Sequence, residues 1–246
     1  MTVTCCRTCQ QPLPAEDVIP FRRPWLPRPY EVFMVLGMTG SGKSYLFKHW
    51  LRLLMESERA CFVVDVSDEY SRGGNSRGNK LELGPLTTRL TVPEFLAAYR
   101  RSSAFIRSPR AAVAIVPTVT DAGAALADHL RPVLRILYGR GNCVIGFDEV
   151  QKYGAELAPE LYRAAGELGK DGVTPFFLSQ HPGGVPERVR KQVSTCISAE
   201  MGKGSDRQML AADFDKPFAA AIRRVLPRTF FCGFSRSQFA AGIPKR

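Results

Sequence analysis

The sequence has few acidic residues and few histidines. Its 34 lysines and arginines outnumber 23 aspartates and glutamates, which gives a formal net charge of +11. This balance favours a polyanionic partner such as nucleic acid, with solubility or an arginine-rich genome as the plainer explanations. His49, His129 and His181 share no metal-site spacing with one another or with the cysteines, so we expect all three to be structural.

Long apolar runs are also missing. No run approaches the roughly 20 residues that span a bilayer, and the N-terminus has polar residues and cysteines where a signal peptide has its apolar core. We therefore expect the chain to work in a cytoplasm. The seven cysteines are an odd number and four of them lie in apolar, strand-like runs, which argues against a disulfide framework.

The N-terminal cysteines do not complete a zinc site. Cys6 and Cys9 have the C-x-x-C spacing, with Cys5 beside them, but no further cysteine or histidine occurs before His49. Because a structural zinc takes four ligands, these residues are either half of a metal site or unpaired thiols.

The length and composition fit one α/β domain with a sizeable core, since 45% of the 246 residues are hydrophobic. Prolines and arginines alternate over residues 20–29, which predicts a stiff, extended segment. We therefore divide the chain into a short extended N-terminal arm, residues 1–30, and a domain, residues 31–246. The arm is either a solvated linker or a segment that contacts a neighbouring subunit or nucleic acid.

The most informative stretch is the glycine-rich segment 37–44. It fits G-x-x-x-x-G-K-[ST], the phosphate-binding P-loop, and it lies between an apolar strand-like run and a helix-like run, as that motif requires. Backbone N–H groups of such a loop, together with the following helix N-terminus, bind phosphate oxygens. The predicted nucleotide-binding residues are Gly37, Met38, Thr39, Gly40, Ser41, Gly42, Lys43, Ser44 and Tyr45.

Five polar residues, two in the P-loop and three at the ends of apolar runs, together predict ATP hydrolysis. Lys43 is expected to reach the β- and γ-phosphates, and Ser44 is expected to bind Mg²⁺ together with Asp148, which ends an apolar strand. Glu149 follows Asp148 directly and is placed to orient and deprotonate the attacking water. Gln180 ends another apolar run and either assists at the γ-phosphate or is satisfied in a turn.

A second glycine-rich loop, residues 71–80, carries three cations and no anion. Arg72, Arg77 and Lys80 are therefore predicted to contact a phosphate backbone, with an ordinary surface loop as the alternative.

The set of motifs resembles the HerA/FtsK superfamily of P-loop ATPases, which pump DNA through hexameric rings. The resemblance covers most of the chain and rests on Asp65-x-x-x-Glu69-Tyr70, Asp148-Glu149, Leu168-Gly-Lys-Asp-Gly-Val173, and Ser179-Gln180-His181-Pro182 followed by Val185-Pro186. It implies an α/β fold of the RecA/ASCE-like P-loop NTPase type, a parallel sheet with helices on both faces. It also implies that the Gln180 strand lies between the P-loop strand and the Asp148 strand.

By its size, the chain is most similar to the genome-packaging ATPases of tailless icosahedral double-stranded DNA viruses with an internal membrane. This resemblance implies ATP hydrolysis coupled to translocation of double-stranded DNA, with ATP and Mg²⁺ as cofactors. The implied partners are DNA, further copies of the chain in a hexameric ring, and capsid or membrane proteins of a packaging vertex. The implied location is the host cytoplasm or the virion vertex.

Three other functions stay open from the sequence. A cellular or plasmid DNA motor for conjugation or repair has the same motifs. A filamentous-phage assembly ATPase is a second alternative, although such proteins usually carry a transmembrane segment. A nucleotide or small-molecule kinase is the third, and it would not need the Asp148-Glu149 pair.

One motif departs from the superfamily pattern. The arginine that reaches a neighbouring subunit's ATP falls at Gly169 in this chain, next to Lys170. Either Lys170 takes that role without the planar fork of a guanidinium, or another arginine does. Arg163 is the first candidate, followed by Arg188 and Arg190.

Overall fold

The apolar runs of the sequence form the strands of one sheet. The computed structural model describes residues 19–20, 26–28, 30–71, 84–119, 123–153, 155–223 and 230–234. Within these residues the strands are β1 Ile19–Pro20, β2 Phe33–Leu36, β3 Cys61–Val64, β4 Thr88–Thr91, β5 Ala112–Val116, β6 Val144–Phe147, β7 Thr174–Ser179, β8 Thr195–Ser198 and β9 Phe231–Phe234.

The helices alternate with these strands along the chain. They are α1 Lys43–Glu56, α2 Val92–Arg101, α3 Ala104–Arg107, α4 Ala124–Arg140, α5 Ala158–Gly166, α6 Glu187–Arg190, α7 Gly204–Asp213 and α8 Lys216–Ala221. Short 3₁₀ turns cover Val150–Lys152, Ala155–Leu157, Leu168–Asp171 and Pro182–Gly184. In the described part of the chain, none of the helices combines the length and the apolar character that a bilayer span requires.

The strand order is β1-β9-β8-β2-β7-β6-β3-β5-β4. The seven strands from β8 to β4 pair in parallel, while β9 pairs antiparallel with β8 and β1 pairs antiparallel with β9. The order confirms the implied placement of the Gln180 strand, because β7 lies between β2 and β6.

Helices cover both faces of the sheet. Along β2, Phe33 and Val35 pack into one core with α1, whereas Met34 and Leu36 pack into a second core with α4 and α5. Because both faces are buried, the strands read as continuous apolar runs instead of alternating ones. The chain therefore has the predicted α/β P-loop NTPase-like fold.

The spacing of four leucines predicts one buried face for α4, and the structure has it. Leu126, Leu130, Leu134 and Leu137 of α4 are buried as expected. The sequence predicts that Thr120 or Asp121 caps this helix and that it ends at about Tyr138. Helix α4 begins at Ala124 and ends at Arg140, and both predicted capping residues lie outside the described residues. The sequence predicts a short helix over residues 92–101 with Pro93 in its first turn. Helix α2 confirms both, and a Thr91–Glu94 capping box precedes it.

Two strands were not expected from the sequence. Strand β4 has a half-exposed, polar sequence, so it gave no apolar run to recognise. Strand β1 comes from the segment predicted as an extended arm. The apolar, phenylalanine-rich run 229–234 predicts an edge strand, but β1 pairs with β9 and makes it an interior strand. The cysteines Cys5, Cys6 and Cys9 and the basic-loop residues Arg72, Arg77 and Lys80 lie outside the described residues.

Helix α1 packs closely on β6 at Gly146. A Cβ at Gly146 would lie 2.6 Å from Cζ of Phe47 and 3.2 Å from Cγ2 of Val63. We expect Gly146→Ala to destabilise the fold by about 1–3 kcal/mol, because the buried ring would have to move. Gly139→Ala in α4 is the matched control, since its Cβ would meet nothing within 4 Å.

Chemical denaturation of the two variants measures this difference. Alanine at Gly139 should leave stability unchanged or raise it by up to about 1 kcal/mol, because alanine favours helix. Equal stability of both variants would contradict the close packing of α1 on β6.

Candidate active site

The 37–44 loop joins β2 to α1 and is fixed by backbone hydrogen bonds. The Gly37 N–H donates to the carbonyl of Ser179 at 3.2 Å, which ties the loop to the end of β7. Gly40 and Gly42 have φ angles of 82° and 95°, in the left-handed region that favours glycine. Helix α1 starts at Lys43 without a side-chain cap, so its first N–H groups face the loop without intrahelical partners.

The loop has the close packing and the unpartnered hydroxyl group of a phosphate-binding site. A Cβ at Gly37 would lie 2.2 Å from the Ser41 hydroxyl oxygen and 3.1 Å from its Cβ, so a larger residue there would displace the Ser41 side chain. The Ser41 hydroxyl is buried and has no hydrogen-bond partner among the described residues, which is costly unless a further group satisfies it. Met38 and Tyr45 are 55% and 68% exposed, so their apolar side chains are accessible to a bound ligand.

Three predicted site residues meet at the carboxyl ends of β2, β6 and β7. The Lys43 Nζ lies 2.9 Å from Glu149 Oε1, with side-chain exposures of 6% and 13%. Gln180 donates from Nε2 to Glu149 Oε2 at 2.9 Å. Gln151 also donates to Glu149 and accepts from Ser179 at 2.9 Å. The cluster holds one carboxylate between an ammonium group and two amides.

Glu149 has an unusual backbone and a perturbed pKa. Its φ of 51° is left-handed for a residue with a Cβ, a conformation that costs energy and is found at functional sites. Burial favours a raised pKa, but the hydrogen bonds and charge of Lys43 and the bond from Gln180 outweigh it and lower the pKa of Glu149. The carboxylate is therefore ionised at neutral pH.

Asp148 is held in place by the segment that follows β3. Its Oδ2 accepts from the Ser67 N–H at 3.2 Å and from the Ser67 hydroxyl at 2.6 Å. Its Oδ1 accepts from the Tyr70 hydroxyl at 3.2 Å. Tyr70 also hydrogen-bonds the Ser44 side chain. The fully buried Tyr70 hydroxyl thus links the two residues predicted to bind Mg²⁺.

Both buried aspartates at this edge have raised pKa values. Burial raises the pKa of Asp148 to about 6, against the opposing charge of Lys43. Burial likewise raises the pKa of Asp65 to about 7, against backbone hydrogen bonds from Tyr70. Asp65 accepts the N–H groups of Glu69 at 3.0 Å and Tyr70 at 2.9 Å, so it shapes the turn that carries Tyr70.

The donor set fits a divalent cation bound with a nucleotide. A serine hydroxyl and a carboxylate are oxygen donors, which suit Mg²⁺ when phosphate oxygens supply further ligands. In the described residues, no group of three histidine, cysteine, aspartate or glutamate side chains is arranged to hold a metal ion alone. Cys61, Cys143, Cys196 and Cys232 are buried and free.

The candidate arginines lie outside this cluster. Arg190 forms a buried ion pair with Asp213 at 2.7 Å and donates to the Val185 carbonyl, so it stabilises the fold. Arg163 is exposed, with its guanidinium 5.7 Å from the Tyr138 ring and its Nε 3.7 Å from Glu167. Arg188 is exposed at the surface. A role in a neighbouring copy's site stays a prediction for Arg163 and Arg188.

Sequence reasoning missed the groups that position the site. Gln151 lies two residues after Glu149, in a 3₁₀ turn that no apolar period marks. Ser67 precedes the Glu69-Tyr70 pair, and its bond to Asp148 spans 81 positions of sequence. Only the strand order reveals such contacts, because β3 is adjacent to β6.

Comparisons with known proteins agree with this fold. No protein-family model matches the chain, and no curated protein sequence matches it significantly. Among solved structures, the chain resembles the genome packaging NTPase B204 of Sulfolobus turreted icosahedral virus 2. In complex with AMP, that protein matches with a TM-score of 0.64 and 14% identity over 86% of this chain and 96% of that chain.

Two further structures give similar values. The same NTPase in complex with ATP-gammaS matches with a TM-score of 0.62 and 14% identity, covering 85% of this chain and 95% of that chain. The DNA-packaging ATPase B204 of Sulfolobus turreted icosahedral virus matches with a TM-score of 0.60 and 16% identity, covering 86% and 96%. At such identities the likeness concerns the fold, and this chain has the fold of these viral packaging NTPases.

Proposed function

We propose that this chain is an ATPase that translocates double-stranded DNA, in the manner of a viral genome-packaging motor. The observation that carries the proposal is the contact of Lys43, Glu149 and Gln180 beside a P-loop that leaves the Ser41 hydroxyl unpartnered. The shared fold with viral packaging NTPases and the net charge of +11 support the choice of DNA as partner.

Each residue has a defined part in this proposal. Lys43 leaves Glu149 and binds the β- and γ-phosphates of ATP in the 37–44 loop. Glu149, ionised at neutral pH, then accepts a proton from the attacking water, while Gln180 orients that water. The water oxygen forms a bond to the γ-phosphorus while the bond between the γ-phosphorus and the bridging oxygen breaks, which yields ADP and phosphate.

Ser44 and Asp148 are the proposed Mg²⁺ ligands, directly or through water. Mg²⁺ neutralises charge on the β- and γ-phosphates when it is bound. Tyr70 orients Asp148 against Ser44, and Ser67 holds the other carboxylate oxygen. The positions of both ligands are thus set by side chains of the segment after β3.

The proposal includes a ring of copies around the DNA, a hexamer as in the superfamily that the chain resembles. Arg163 is the first candidate to reach a neighbour's γ-phosphate, with Arg188 and Lys170 as alternatives; Arg190 is committed to Asp213. Arg72, Arg77 and Lys80 are the proposed DNA-contacting residues of the basic loop. Docking on a capsid or membrane vertex belongs to the same proposal.

ATP turnover with and without duplex DNA tests this function. We expect duplex DNA to stimulate turnover at low salt and the stimulation to fade as salt rises, because phosphate contacts release counterions. Lys43→Ala should reduce turnover by about 100-fold or more, since it removes the phosphate-binding charge. Lys216→Ala, an exposed charge removal on α8, should match the wild type.

Turnover that is present but indifferent to DNA would overturn the translocation proposal and favour an assembly ATPase. Turnover equal in the Lys43→Ala variant and the wild type would overturn the ATPase proposal itself.

The Tyr70→Phe variant tests the proposed metal ligands. Loss of the hydroxyl frees Asp148 to turn away from Ser44, so we expect the Mg²⁺ concentration for half-maximal binding of a fluorescent ATP analogue to rise roughly tenfold. Tyr153→Phe is the matched control, because its buried hydroxyl donates to the Val64 carbonyl instead. An unchanged Mg²⁺ requirement in Tyr70→Phe would exclude the positioning role.

A further inference from the structure

An arginine-lined groove lies on the edge of the sheet opposite to the P-loop. It consists of two adjoining depressions of about 440 Å³ and 260 Å³ that share Arg107, Gly139 and Arg140 in their walls. Ala60, which also lines the groove, directly precedes β3. Asn142, another lining residue, lies two residues before the start of β6. Because these strands are parallel, the groove is at their amino ends and the candidate active site is at their carboxyl ends.

Two half-buried arginines of the groove, Arg59 and Arg140, donate their hydrogen bonds to neutral groups. Arg140 donates to the carbonyls of Ile106, Ser108, Gly141 and Asn142, and its guanidinium lies 5.6 Å from the Phe62 ring. Arg59 donates to the Pro27 carbonyl and the Thr174 hydroxyl. Carbonyls and hydroxyls orient these guanidinium groups. Burial lowers the pKa of Arg59 against an opposing contribution from the Glu31 carboxylate, whereas Arg140 forms no ion pair with the described residues.

The exposed arginines have no partner in the described part of the chain. Arg107 and Arg135 both point out at the surface and form no ion pair or side-chain hydrogen bond there. The single acidic residue among the described lining residues is Glu58, and it already pairs with Arg110. The sequence has no aspartate or glutamate from 95 to 120, where it has four arginines.

We propose that this groove binds the phosphate backbone of nucleic acid, as a contact separate from the 71–80 loop. The planar forks of Arg107 and Arg135 suit phosphate oxygens, which accept paired N–H bonds. Arg59 and Arg140, which already donate to protein oxygens, add positive charge beneath them. The two pre-oriented arginines form the floor of the groove, while Arg107 and Arg135 are free to close on a phosphate. ATP binding at the opposite edge does not compete for the same residues.

The lining favours nucleic acid over a membrane or a protein partner. The exposed large hydrophobic residues of the described chain are Leu26, Tyr30, Met38 and Tyr45, and none of them lines the groove. Membrane anchors and protein interfaces depend on buried apolar or aromatic residues at their centre. A phosphate backbone needs the positive charge alone.

The inference deepens the proposed DNA function and rests on it, but it assigns a particular site. The test is equilibrium binding of a short fluorescent DNA duplex by the full-length chain over a range of salt concentrations. Arg107→Gln with Arg135→Gln removes the two exposed charges. Lys203→Gln with Arg223→Gln is the matched control, two exposed cations beside the α7–α8 pair.

We expect the Arg107/Arg135 variant to bind duplex roughly tenfold more weakly at low salt, with the slope of log K against log salt reduced by about 2. The control variant should bind as the wild type does. ATP turnover without DNA should be unchanged in both variants, and thermal unfolding should show that both are folded.

Four results would overturn the assignment of the groove. If the Arg107/Arg135 variant has the affinity and salt slope of the wild type, the groove does not bind the DNA phosphate backbone, while the proposed DNA function stands. Equal weakening by the control pair would show a response to net charge alone. Unchanged DNA binding with altered self-association would assign the groove to a protein contact. A wild-type chain that binds no duplex would refute both the groove and the proposed function.

Discussion

Three adjacent parallel strands, β2, β7 and β6, determine where the groups of the candidate site lie. They place the P-loop, Gln180 and Glu149 at one edge, although Lys43 of the P-loop and Glu149 are 106 positions apart in sequence. Neighbouring β3 adds Ser67 and Tyr70, which hold Asp148. The site is therefore a consequence of strand order, and its charges are balanced by the Lys43–Glu149 ion pair.

The residues that the sequence identified are those with a local signature. The P-loop has three glycines followed by Lys43 and Ser44, and Asp148 and Glu149 end an apolar run. Both motifs can therefore be identified from consecutive residues of the sequence. Gln151 and Ser67 have no such pattern, because their function arises from contacts across strands. The polar edge strand β4 and the two-residue strand β1 could not be predicted from the sequence for the same reason. They form by pairing with a neighbouring strand and have no apolar run of their own.

The two edges of the sheet differ in electrostatic design. At the carboxyl edge, carboxylates, one ammonium group and amides are paired closely, so charge is held in place for chemistry. At the amino edge, the Arg140 guanidinium is held by carbonyls and forms no ion pair with the described residues, so its positive charge faces the groove. A motor that hydrolyses ATP at one edge and holds a polyanion at the other would keep the two ligands apart on one rigid sheet.

In the proposed cycle the Lys43–Glu149 ion pair opens when ATP binds, because Lys43 moves to the phosphates. The most direct measurement is the affinity of wild type and Glu149→Gln for a non-hydrolysable ATP analogue, by calorimetry, together with ATP turnover. Because Glu149→Gln removes the competitor for Lys43, the variant should bind the analogue roughly fivefold more tightly, about 1 kcal/mol. Its turnover should fall about 100-fold or more. Weaker binding by the variant would show that Glu149 does not compete with ATP for Lys43. Turnover near the wild-type rate would show that Glu149 is not the base.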